Sequence, residues 1–136
     1  MSNVLSIALS GLNAQNTRLA ASANNIANAS TVGAVPTASG TSTVYRPLSV
    51  SYTALTAGTN TGGGVSAHVT EDADGYTVIF DPSSPFADSE GLIAAPNVDL
   101  AREAVNILES KLLFKANLSV IKIQKEMMGE LLDTLE

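Results

Sequence analysis

The sequence predicts a mainly α protein in which antiparallel N- and C-terminal helices form an elongated, coiled-coil-like core carrying a small β-hairpin or β-strand appendage. Three observations point there. Leu5, Leu12, Leu19 and Ile26 recur every seven residues near the start. Apolar residues return at spacings of three and four over 98–135, and short stretches of strict alternation lie between the two periodic ends.

The first helix runs to about Asn28, with Ala8, Ala23 and Ala27 beside the heptad stripe. Asn28, Ser30, Thr31 and Gly33 then gather side chains that compete with helical hydrogen bonds, which ends it. Ser10 and Gly11 sit in its middle, and a helix-interior Gly costs about 1 kcal/mol relative to Ala. The isolated helix is therefore expected to order on assembly. Its stripe admits two readings, packing inside its own domain or packing against neighbouring chains. Asn24, Asn25 and Asn28 likewise admit two, as breakers near the helix end or as hydrogen-bonding groups between subunits.

Residues 30–64 are rich in Ser, Thr and Gly, with Pro36, Pro47 and Gly62 to Gly64, which excludes a continuous helix and predicts a mobile linker over part of the stretch. Leu48, Val50 and Tyr52 alternate with polar neighbours, as do Val65, Ala67 and Val69, then Tyr76, Val78 and Phe80. The turn residues Asp72 to Gly75 predict that 65–80 forms a hairpin, and a lone hairpin needs something to pack on. Asn97 is placed to cap a long second helix from about Val98, with Asp99 and Glu103 in its first turns. One stripe of that helix holds Leu100, Ile107, Phe114, Leu118, Ile121 and Met128, and a second holds Val98, Ala101, Val105, Leu108 and Leu112. Such a helix would be about 55 Å long, against a radius of gyration of about 14 Å for a compact domain of this size. The expected organisation is an N-terminal helix over 1–30, a linker and β appendage over 31–95, and a C-terminal helix over 96–136.

Composition narrows the function. The 136 residues are 45% hydrophobic but only 4% aromatic, so the apolar surface comes mostly from small aliphatic groups. A net charge of -6 repels phosphate backbones and anionic headgroups, which argues against nucleic acid and membrane-surface partners. No window approaches a membrane-spanning length of apolar residues, and the N-terminal region lacks the basic and apolar pattern of a cleaved signal peptide, so export would need another route. There is no Cys, hence no disulfide and no thiolate metal site.

Catalytic and cofactor chemistry find no constellation. His68 is the sole histidine and lies in an expected strand, so neither a histidine metal cluster nor a His-based triad can be built. Asp72 to Gly75 resembles the opening of a calcium loop, but the later ligands do not line up. Ser83, Ser84 and Ser89 have no supporting base nearby, and Gly62 to Gly64 lack the Lys of a phosphate loop. No metal, cofactor or catalytic residue is expected.

The segment Ser10 to Gln15 through Arg18 and Leu19, followed by Asn24-Asn25-Ile26-Ala27-Asn28-Ala29-Ser30-Thr31, resembles the N-terminal motif of the flagellar rod and hook family. Pro96-Asn97-Val98-Asp99, leading through Glu103, Val105, Asn106 and Lys115 to Asn117 towards Met127 and Met128, resembles the C-terminal helix of that family. The short length and the run Asp81 to Gly91 are most similar to its proximal-rod members, since distal rod and hook proteins carry larger middle domains. Matching stretches cover roughly half the chain. Residues 32–75 match poorly, and Phe114 stands where a Tyr is common. The resemblance implies a structural subunit, exported by the flagellar type III apparatus and polymerised in the periplasm with copies of itself and homologous rod proteins to transmit torque. Under that reading the subunit interface is Leu5, Leu12, Leu19, Asn24, Asn25, Ile26, Asn28, Val98, Val105, Leu108, Leu112, Phe114, Leu118 and Ile121. The alternatives are another rod subunit of the family or a non-flagellar coiled-coil scaffold.

Overall fold

A computed structural model describes residues 2–37, 43–57 and 61–134. Its element order is α1 (Ser2–Asn28), β1 (Leu48–Ala57), β2 (Thr61–Glu71), β3 (Tyr76–Phe80), β4 (Leu92–Pro96) and α2 (Leu100–Asp133). Two long terminal helices with short strands between them along the chain make the mainly α class with a small β appendage that the periodicities predict. The chain divides into two compact units, Met1–Leu19 with Val50–His68 and Asn106–Glu136, and Ala20–Ser49 with Val69–Val105.

Helix α1 tolerates its many polar residues because several bond back onto it. Ser6 and Ser10 hydroxyls donate to the carbonyls of Asn3 and Ile7, Thr17 to Asn13, and the amides of Asn24 and Asn28 to Ala20 and Asn24. The helix closes with tight bonds from Ala29 N–H to Ile26 O and from Thr31 N–H to Asn28 O, and the Thr31 hydroxyl also donates to Asn28 O. Helix α2 begins two residues later than expected. Its cap is Asp99, whose Oδ1 accepts from the Ala101 and Arg102 N–H groups at 3.0 and 3.1 Å, and not Asn97. Asn97 instead donates its N–H to Gly75 O.

The strands pair differently from the expected hairpin over 65–80. β2 pairs with β1, and β3 pairs with β4. The β3–β4 ladder is antiparallel, with Tyr76 opposite Pro96, Val78 opposite Ala94 and Phe80 opposite Leu92. The turn at Asp72 to Gly75 is present, with Gly75 N–H donating to Asp72 O. Its flanks are claimed by other partners, however, since Asp72 N–H donates to Pro47 O and Gly75 O accepts from Asn97. β4 was not legible as a strand because Leu92-Ile93-Ala94-Ala95-Pro96 is a short apolar run without alternation. Parts of the expected linker, residues 38–42 and 58–60, lie outside the described residues.

In the second unit, Ile93, Ala94 and Val44 form the buried apolar centre. Gly33 and Ala94 exchange N–H and C=O bonds, both 2.9 Å, on the edge of β4. A Cβ on Gly33 would lie 2.5 Å from Val44 N and 2.6 Å from Thr43 C, both backbone atoms that cannot swing aside. Gly33→Ala is expected to destabilise the protein by about 1–3 kcal/mol, as overpacking does. A urea midpoint equal to wild type would show that this backbone yields more easily than its contacts indicate.

Candidate assembly surface

Where each helix turns its side chains decides which of them remain open to another chain. On α1 the inward residues other than Leu12 are small or polar. Ala8, Gly11, Leu12, Ala14 and Gln15 are buried in the first unit, and Ala21, Ser22 and Asn25 in the second. On α2, Glu103, Ser110 and Gln124 are buried and Asn117 is half-buried, each seven residues from the next. This heptad of polar groups is the reverse of an apolar coiled-coil seam.

Small residues let backbones approach closely. In the first unit a Cβ on Gly11 would fall 2.6 Å from Asn117 Oδ1, which explains a Gly in mid-helix despite its intrinsic cost. Arg18 Nη2 donates to Asn106 Oδ1 and Glu109 Oε2, both at 2.7 Å, fixing α1 to α2 in antiparallel register there. Ser10 Oγ accepts from Val65 N–H at 3.1 Å and so ties β2 to α1. Gln15 Oε1 and Ser110 Oγ are buried without a hydrogen-bond partner among the described residues.

In the second unit Asn25 is a hub, 1% exposed. Its Oδ1 accepts from Leu48 N–H at 2.7 Å and from the Tyr45 hydroxyl at 2.9 Å. Its Nδ2 donates to Leu48 O at 2.9 Å and to Glu103 Oε1 at 2.8 Å. One amide thereby holds the start of β1 and a carboxylate of α2. Burial, then the negative charges of Glu103 and Glu71, raise the Tyr45 pKa above its ordinary value, keeping the phenol a neutral donor.

The large apolar side chains point the other way. Val105, Leu108, Leu112, Leu118 and Ile123 of α2 are exposed, with Leu108 and Leu112 at 64% and 68%. At 100° per residue, Leu108 lies about 140° around the helix from Glu103, and Leu112 about 160° from Ser110. Val4, Ile7, Leu9, Leu19 and Ile26 are open on α1. Of the residues expected at a subunit interface, Leu19, Asn24, Ile26, Val105, Leu108, Leu112 and Leu118 are exposed, and Leu5, Asn28, Val98, Phe114 and Ile121 are half-exposed. Leu12 and Asn25 are used inside the chain instead. Of the two stripes predicted for the first half of α2, Ile107 on one is half-buried, while Val105, Leu108 and Leu112 on the other are uncovered.

Of the buried polar residues, Ser22, Ser110 and Gln124 have no place in the sequence reading, while Gln15 enters it only in the family motif and Glu103 only there and in the first turns of α2. Their seven-residue spacing on α2 was the available signal. Elsewhere the surface offers little chemistry: among the described residues no group of three His, Asp or Glu side chains could hold a metal ion, and no helix is long and apolar enough to cross a membrane. His68 is exposed and within hydrogen-bonding distance of Thr53 Oγ1.

Comparison with known proteins gives this surface a context. The family model described as flagella basal body rod protein matches residues 5–34, the span holding the Asn25 hub and Gly33. Flagellar basal-body rod protein FlgC of Yersinia enterocolitica is 35% identical over 127 residues, covering 93% of this chain and 91% of that protein. FlgC of Salmonella typhimurium is also 35% identical with the same coverage, and FlgC of Bacillus subtilis is 29% identical over 142 residues, covering 95% and 94%.

Proposed function

The chain belongs to the FlgC family of flagellar basal-body rod proteins and is a structural subunit of that rod; we propose that it polymerises through the outward faces of its two terminal helices and so transmits torque. Its place is the basal-body rod, assembled with other rod proteins. The observation that carries the mechanism is the inversion of the helices, with polar and small residues buried and Leu108, Leu112 and their neighbours open.

Each large aliphatic side chain contributes about 1.5–3 kcal/mol when fully buried, so a stripe of several per copy gives cohesion without covalent links. The residues assigned to this interface are Leu5, Leu19, Asn24, Ile26, Asn28, Val98, Val105, Leu108, Leu112, Phe114, Leu118 and Ile121. We assign the chain to the proximal part of the rod, on its short middle segment and the run Asp81 to Gly91. Delivery by the flagellar type III apparatus and a purely mechanical role without catalysis complete the reading.

Removal of the gene from the source bacterium is expected to leave cells without rod, hook or filament, and an epitope-tagged copy is expected to restore swimming and to co-purify with basal bodies. Normal swimming after deletion, with no second copy of the gene, would overturn the reading.

A further inference from the structure

We propose that a groove on the first compact unit seats the C-terminal part of α2 from a second copy of this chain, held by an apolar stripe and set in register by charge. The inference rests on the reading of the chain as a rod subunit that assembles through its helices. The groove has a volume of about 320 Å³ and is lined by Leu19, Ile107 and Phe114 together with Lys111 and Lys115. Gln15 and Ser110 also line it, and their Oε1 and Oγ atoms find no hydrogen-bond partner among the described residues. The groove is incomplete as it stands.

What fits it is written on the same helix. All four lysines of the chain, Lys111, Lys115, Lys122 and Lys125, fall within one stretch of α2 that holds no acidic residue, whereas Glu126, Glu130, Asp133 and Glu136 follow with no basic residue among them. Glu126 and Glu130 are four apart, the spacing of Lys111 and Lys115. Beside them Ile123, Met127 and Leu131 form a stripe at the same interval, each about half exposed. Within the chain, the acidic end makes one ion pair among the described residues, Lys122 to Glu126 at 3.9 Å, between two largely exposed side chains.

Lys111 and Glu126 lie fifteen residues apart on one helix, about 22 Å along its axis, so they cannot meet within one molecule. Glu126 and Glu130 of one copy therefore pair with Lys111 and Lys115 of the next, with Met127 and Leu131 over Leu19, Ile107 and Phe114. Each copy presents both a groove and a tail. Such a contact is heterologous and propagates from copy to copy, unlike a two-fold contact that closes on itself.

The absence of natural cysteine makes the contact testable in the full chain. Lys111→Cys and Glu126→Cys in one chain stand about 22 Å apart on the helix, too far for an intramolecular disulfide. Oxidised basal bodies carrying this variant are expected to yield at least tenfold more cross-linked dimer than a control with Ala116→Cys and Glu126→Cys, since Ala116 is exposed and lies outside the groove. Lys111→Glu with Lys115→Glu is expected to lower incorporation into basal bodies about tenfold, and adding Glu126→Lys and Glu130→Lys to restore it. Incorporation without dimer above the control, no effect of the lysine reversals, or no rescue by the combined reversal overturns the docking while leaving the rod reading intact. Absence of the wild-type chain from basal bodies would overturn both.

Discussion

With Leu108→Glu and Leu112→Glu together, the full chain is expected to keep its urea midpoint while cells carrying it in place of wild type form no rod and do not swim. Both side chains are about two-thirds exposed. Glu matches Leu closely in helix propensity, so stability should change by no more than about 0.5 kcal/mol. Assembly is another matter. Each substitution forfeits about 1.5–3 kcal/mol of apolar burial, and a carboxylate without a partner then adds a desolvation penalty of several kcal/mol. Electron microscopy of basal bodies and the diameter of the swimming halo report the outcome. Wild-type swimming by this variant would show that the outward stripe of α2 is not what joins the subunits.

The opposite separation is expected for Asn25→Leu, a change of similar size at a position sealed inside the second unit. It removes two hydrogen bonds to the Leu48 backbone, the acceptor of the Tyr45 hydroxyl and a donor to Glu103. A buried polar group left unsatisfied costs about 1–3 kcal/mol, so the sum should reach about 3 kcal/mol or more. A lowered urea midpoint, with faster amide exchange at Leu48 and Ile93, is the expected signature. Asn24→Ala is the natural contrast, because Asn24 is exposed and its amide donates to Ala20 O of its own helix. The two neighbouring asparagines should therefore differ several-fold in cost, and equal effects would mean that the network around Asn25 is not what holds the unit.

Some of this was legible before any coordinates. Seven-residue spacing and the Asn28 to Gly33 breakers define α1, and spacings of three and four define α2, because helix periodicity is a local property. The alternating runs at Leu48, Val65 and Tyr76 mark strands for the same reason. Strand partners are not local. The Asp72 to Gly75 turn suggests that its two flanks pair, yet hydrogen bonds to Pro47 and from Asn97 send them to different partners.

The sequence by itself determined the class, two terminal helices with short strands between them along the chain, and with it the family motif and the division of α2 into basic and acidic stretches. Which helix face turns inward was decided only by the tertiary structure. Hydrophobic periodicity assumes that the largest apolar side chains seek the chain's own core, but close approach of helices at Gly11 and Asn117, and the hydrogen bonds of Arg18 and Asn25, favour small and polar groups there. Leu108, Leu112 and Leu118 are left outside, where their burial depends on a neighbouring molecule that no pattern within a single chain can reveal.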